Sequence, residues 1–284
     1  MERHTAQAVD TGYVSTIQAG NYGVINMNKN KMIQSDSAVS EVVGYSLVFG
    51  IIVLAIGLIY VAGIPTLQST KDATQFKSVE QGFMILNTDL SKVALDQSPV
   101  RTTKLGTAEG GMLASNPEAC NISLKIFDGS GNEQFNDTIA MGRIEFVSGV
   151  GSITCENGAV IAKYGSGSFM TIKPRMFGES DQNRIMFSLI KVNDSSRSAG
   201  GGIAQVTISN PRFNESLFNT PEVYENGKMK IKVESEYADS WARFLGTEFG
   251  AKFSTQSTDS TGWSDMICFD ELVVVEYVVS VDIW

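Results

Sequence analysis

Hydrophobic and polar positions fall into four successive patterns along the chain. Over residues 1–36 they mix without any period, with Gly, Asn, Ser and Lys common, which predicts an unstructured leader. From Val42 to Ile64 the pattern is continuously apolar: 23 residues carry no charge, and Ser46 is the most polar side chain. At about 1.5 Å per residue such a helix covers roughly 34 Å, enough for the hydrocarbon core of a bilayer. Tyr45 and Tyr60 stand near its two ends, where amphipathic rings suit the interface. Pro65 is expected to end or kink this helix.

Beyond Pro65 the period stays helical but becomes one-sided. Phe76, Val79, Phe83, Leu86, Leu90 and Val93 recur every three or four residues between Thr70 and Ala94, and Lys71, Lys77, Glu80, Asp89 and Lys92 mostly take the remaining surface. That spacing predicts an amphipathic helix whose apolar stripe lies against the following domain.

From about Val100 short runs rich in Val, Ile, Phe and Tyr alternate with Gly, Asn, Asp and Ser, the texture of β-strands. Strands are predicted at 122–127, 143–147, 159–164, 168–173, 185–192, 203–208, 229–234 and 272–283. Asn157-Gly158 and the Gly165–Gly167 stretch read as hairpin turns. One helix is predicted among them, at 239–249, with Ser235 or Asp239 capping its start. The fold class is α+β: a leader over 1–38, a transmembrane helix over 39–66, an amphipathic helix over 67–98, and a β-rich domain over 99–284. That domain is expected to be a mainly antiparallel sheet or sandwich with one packed helix.

Composition narrows the chemistry. The net charge of −9 argues against a nucleic-acid partner, which calls for a clustered basic surface. His4 is the one histidine, which removes Ser-His-Asp and Cys-His catalysis and His-containing zinc sites. Cys120, Cys155 and Cys268 form no CxxC pair, so a cysteine-only zinc site is not expected either. In an oxidising exterior Cys120 and Cys155 are the candidate disulfide, with Cys268 left over; buried free thiols are the alternative.

Asp128-Gly-Ser-Gly-Asn-Glu has oxygens at alternate positions like a calcium loop, but Glu133 stands where Gly is needed and no closing Glu follows, so a hairpin turn is expected. Ser198-Ala-Gly-Gly-Gly lacks the Gly-Lys-Ser/Thr of a phosphate loop and reads as a flexible loop. No catalytic residue, metal ligand or cofactor is assigned.

What remains points to the membrane. Lys29 and Lys31 before the apolar run and Lys71 and Lys77 after it barely decide orientation. Asn121, Asn136, Asn193 and Asn214 each open an Asn-x-Ser/Thr sequon, all beyond the apolar run, which leans towards an exterior C-terminal domain. Ser46, Gly50 and Gly57 fall on one side of the helix, where small side chains let another helix approach closely. Glu41 stands at the edge of the run, where a carboxylate is costly unless it stays at the interface, at the positive end of the helix, or finds a partner.

The run Ala38-Val39-Ser40-Glu41-Val42-Val43-Gly44, leading into an uninterrupted apolar helix, resembles the class III signal segment of archaeal type IV pilins and archaellins. The resemblance implies a prepilin peptidase cutting between Ala38 and Val39, an anchor helix that can pack into a filament with other pilin-like subunits, and Glu41 in the place of a Pro. Ser37 stands where that family has a basic residue. Matching Glu41 to the bacterial-type glutamate would instead put the cut after Asp36.

The later Gly63-Ile64-Pro65-Thr66-Leu67, the Gly158-Ala159-Val160 region and Ser235-Glu236-Tyr237-Ala238-Asp239-Ser240-Trp241 make the chain similar to uncharacterised archaeal pilin-like, membrane-anchored surface proteins. The implied role is structural or adhesive at the cell surface, in a minor filament subunit. A single-span anchored binding or sensor domain that does not polymerise is the alternative.

Overall fold

The structure is a computed structural model that describes residues 30–284 except 108–109, 166, 180–182, 195, 200–201, 213–220 and 255–256; at 30–40, 179 and 197–199 only the backbone is described. The predicted leader over 1–29 therefore lies outside the described residues. The chain divides into two compact units, Met1–Ile64 and Pro65–Trp284. The amphipathic helix and the β-rich segment thus belong to one unit rather than two.

Helix α1 runs Asn30–Ala94, 65 residues without a break, so it takes in the last part of the predicted leader and passes through Pro65. The expected helix end at Pro65 is not made. Proline withdraws the one backbone donor that would reach the Val61 carbonyl, and the helix continues on the bonds of the turns either side. Just beyond it Ser69 and Thr70 donate their hydroxyls to the Thr66 carbonyl at 3.0 and 2.9 Å, and Thr74 donates to the Thr70 carbonyl.

Fourteen strands follow among the described residues: β1 Val100–Thr107, β2 Met112–Asn116, β3 Asn121–Phe127, β4 Glu133–Ala140, β5 Arg143–Val147, β6 Gly151–Glu156, β7 Ala159–Tyr164, β8 Gly167–Ile172, β9 Met176–Glu179, β10 Arg184–Val192, β11 Ser196–Ala199, β12 Gly202–Ser209, β13 Glu222–Glu234 and, after helix α2 (Ala238–Phe249), β14 Ile267–Ile283. They form an eight-stranded sheet, with path β1-β12-β14-β13-β3-β4 plus β10 and β9, and a six-stranded sheet in the order β11-β2-β5-β6-β7-β8. Strand β14 is the spine of the larger sheet. It pairs antiparallel with β13 through its first half and with β12 at its end, and parallel with β10 over Glu271–Val279. Every other pairing between named strands is antiparallel.

The two sheets enclose two cores. In one, Phe76, Val79, Phe83, Leu86, Leu90 and Val93 of α1 are all buried and cluster with residues of both sheets, among them Leu105, Phe146, Ile153, Val206 and Val281. The predicted stripe is therefore a core element, and each such side chain contributes about 1.5–3 kcal/mol of burial. In the other, Trp241, Phe244 and Leu245 of α2 join Leu124, Phe187, Ile231 and Leu272. Strand β7 lies between the two: Ala159 and Ile161 face the α2 core, Val160 and Ala162 the α1 core. A strand covered on both faces reads as an unbroken apolar run, which is why Ala-Val-Ile-Ala carries no alternation.

Helix α2 starts at Tyr237 with no side-chain cap and ends on Gly250 in the left-handed region. Ser235 does not cap it; its Oγ instead accepts the Tyr237 N–H at 3.0 Å and serves the network described next.

Candidate functional site

Two features of the structure ask for a functional account: the first part of α1, and a buried polar network around Glu156.

Between residues 41 and 64 nearly every side chain is exposed. Val42, Tyr45, Phe49, Leu54, Leu58, Ile59 and Val61 each show between 65% and 74% of their surface. A surface of this kind is stable only when apolar matter covers it. The helix is long and apolar enough to cross a membrane.

Glu41 is exposed on α1. Ser46 donates its hydroxyl to the Val42 carbonyl at 2.9 Å, so its polarity is spent within the helix. A Cβ built on Gly50 or on Gly57 would meet nothing within 4 Å, and the three positions share one face, leaving a shallow small-residue surface. Ala38 and Val39 lie inside α1, with helical backbone across the bond between them.

The second feature is built by β5, β6 and the segment leading into α2. Glu156, the last residue of β6, has 0% of its surface exposed. Its Oε2 accepts the Trp241 indole N–H at 2.8 Å, and the Ser235 hydroxyl donates to the carboxylate at 2.8–2.9 Å. The buried Cys120 thiol lies beside it. Arg143 of β5 reaches across with Nη1 3.7 Å from Glu156 Oε1, while its Nη2 pairs with Glu145 at 3.1 Å and Glu236 at 3.2 Å. Tyr237 donates its phenol to Glu145, and Ser152 shares a hydrogen bond with the same phenol at 2.7 Å.

Burial pushes the Glu156 carboxyl above its ordinary value, opposed by the Trp241 and Ser235 hydrogen bonds and by Arg143. Burial likewise raises the Cys120 thiol, and the Glu156 carboxylate raises it further. The Tyr237 phenol is driven up by burial first and by Glu145 next. With Glu156 and Ser235 both closed to solvent, this carboxylate–hydroxyl pair works as a clamp: it ties α2 and the end of β13 to the six-stranded sheet.

Asn157 and Gly158 form the β6–β7 turn with positive φ at both positions, +48° and +71°, as a two-residue hairpin of this type requires. The Asn157 side chain is buried, and its Oδ1 accepts the Ile190 N–H at 2.8 Å, fastening the turn to β10. Glu156-Asn157-Gly158 reads in the sequence as a turn, and its core carboxylate is missed. The run Ser235–Trp241 did carry a signal, and it supplies four members of the network.

The remaining predicted residues are scattered. Asp128 closes its own turn: Oδ1 accepts the Ser130 and Asn132 N–H groups, and Oδ2 takes the Asn132 and Gln134 amides. These bonds hold the Asp128 carboxyl below its usual value. Among the described residues no group of three or more His, Cys, Asp or Glu side chains is placed to hold a metal. Cys120 lies in the α2 core and Cys155 in the α1 core, each a free buried thiol; Cys268 is free and exposed. The expected Cys120–Cys155 bridge is thus not made.

Asn136 on β4 and Asn193 after β10 are exposed. Asn121 is half-buried, and Ser123 of its sequon is buried against Thr138. Asn214 and part of the Ser198 loop lie outside the described residues.

Residues 38–283 match one known family, described as "Family of unknown function (DUF7289)", and the chain belongs to it. No curated protein and no solved structure matches the chain.

Proposed function

We propose that the protein is an archaeal pilin-like surface protein held in the membrane by the first half of α1, with its β-rich unit on the exterior and a structural or adhesive role. The observation that carries this reading is the division of labour within one helix. Its first half is charge-free and exposed from Val42 to Ile64, while its second half is a core element of the β-rich unit. A helix built this way can anchor a domain and also pack laterally against copies of itself. Packing would use the Ser46, Gly50 and Gly57 face. Glu41 would neutralise a neighbour's new N-terminal amine after a prepilin peptidase cuts between Ala38 and Val39. The exposed sequons at Asn136 and Asn193 support an exterior location.

A second reading, a plain single-span anchor for a binding domain, is favoured by one observation: α1 begins at Asn30 and stays helical through Ala38 and Val39. N-terminal mass spectrometry on protein from native membranes separates the two. A mature start at Val39, or at Ser37, supports pilin-type processing, and an intact leader supports the plain anchor. Glu41→Gln tests the assembly role: filament yield should fall while membrane insertion is unchanged, and unaltered assembly would remove Glu41 from the mechanism.

A further inference from the structure

A cleft of about 500 Å³ opens between the C-terminal end of α1 and the segment joining β8 to β9, with the β6–β7 turn at its floor. In a chain whose 31 acidic residues outnumber its 22 basic ones, none of the twelve residues lining this cleft is acidic. Three are cationic: Lys92, Lys173 and Arg175. Lys173 pairs with Glu248 at 2.9 Å. No ion pair engages Lys92 or Arg175 among the described residues. Lys92 lies in the last turn of α1, where its charge also suits the helix end, but Arg175 sits outside any helix and has no such duty.

Asn87 supplies the independent observation. It is 7% exposed, and it lines the cleft. Its Oδ1 accepts the buried Cys155 thiol at 3.5 Å, which fixes the amide with its NH₂ group elsewhere. That NH₂ group meets no protein acceptor among the described residues and is not closed off from the cleft, so it is free to donate to a molecule held there.

We infer that this cleft is a binding site for a small hydroxylated carboxylate, a sugar acid of the uronate class. The Arg175 guanidinium matches a carboxylate in a bidentate fork, with Lys92 beside it as a second charge. The Asn87 amide and the Ser91 hydroxyl are suited to ring hydroxyls. Phe177, 54% exposed at the rim, offers an apolar face to a sugar ring. The volume lies within the range for small organic ligands and is far larger than one inorganic anion fills. The inference stands apart from the pilin-like reading, since it uses only residues of the Pro65–Trp284 unit.

The test is calorimetric titration of the full chain in non-ionic detergent with D-glucuronate, D-glucose and inorganic phosphate. Glucuronate should bind saturably, and glucose and phosphate much more weakly. Arg175→Gln and Lys92→Gln should each weaken glucuronate about tenfold, equivalent to roughly 1.4 kcal/mol. Arg175 is exposed, so its variant should melt with the parent and report binding alone. Absence of saturable glucuronate binding overturns the inference, as does equal affinity in both variants. Phosphate binding as tight as glucuronate overturns the sugar-acid assignment, and glucose binding as tight overturns the role of charge.

Discussion

Trp241 donates to a fully buried carboxylate, and that bond should be measurable as a coupling energy. Trp241→Phe keeps most of the ring in the α2 core but deletes the donor 2.8 Å from Glu156 Oε2. A hydrogen bond to a charged acceptor contributes about 1.5–3 kcal/mol, against about 0.5–1.5 kcal/mol to a neutral one. Trp241→Phe should therefore lower the stability of the parent chain by about 2 kcal/mol, or about 4–8 °C in a unit of this size. In a Glu156→Gln background, where the acceptor is a neutral amide, the same change should cost about 1 kcal/mol less.

Urea and thermal unfolding in non-ionic detergent, followed by near-ultraviolet circular dichroism, would give all four corners of the cycle. Additivity within about 0.5 kcal/mol would refute the clamp. A pH series adds a signed test. Because Glu156 is held above its ordinary value of 4.5, the native state binds that proton more tightly than the unfolded chain does. Its contribution is then complete below the unfolded value and declines as pH rises through the folded one. Stability relative to Glu156→Gln should shift in favour of the Gln variant as pH rises from the ordinary carboxyl value of 4.5 through the raised folded one. A shift in the opposite direction would mean that the donors and Arg143 outweigh burial.

Three further predictions follow from packing and exposure. Phe83→Ala empties a fully buried position on the α1 stripe and should cost about 3–5 kcal/mol, read as a melting point lower by on the order of 10 °C. At Gly142, between β4 and β5, φ is +66°, and an added Cβ would lie 2.8 Å from the Pro117 Cα and 2.9 Å from the Asn116 carbonyl oxygen. Since backbone cannot yield as a side chain does, Gly142→Ala should destabilise the chain by more than the roughly 1 kcal/mol of left-handed strain alone, seen in the urea midpoint. Maleimide labelling of the native protein should modify Cys268 and spare Cys120 and Cys155, with three labels in denaturant; three labels in the native state would contradict the two cores.

The strands that hydrophobic pattern finds and misses divide for a physical reason. Strands β3, β5, β7, β8, β10 and β12 lie within two residues of their predicted bounds; all but the edge strand β8 are flanked on both sides and carry core residues. Six strands escape the pattern, and four of them, β1, β4, β9 and β11, are sheet edges. An edge strand is half-solvated and polar, as Glu-Gln-Phe-Asn-Asp-Thr-Ile-Ala in β4 shows, so no alternation marks it. Strand β13 extends well before its predicted start for a similar reason: its first residues, such as Glu222, Val223 and Glu225, are exposed. Strand β14 also begins before its predicted start, at Ile267.

The sequence by itself determined the apolar span, the α1 stripe, the β6–β7 turn and the α+β class. Each of these depends on neighbours within a few positions, where spacing along the chain equals spacing in the fold. Tertiary structure alone decided the rest. It carried α1 through Pro65, assigned Cys120 and Cys155 to separate cores, and set Glu156 against Arg143, Ser235 and Trp241. It also brought Asn87 and Arg175 to one cleft. Those juxtapositions join residues 68 to 88 positions apart in most cases, and they follow from strand order and register. Sheet topology sets that order through the whole packing of the unit, which no local run of residues encodes.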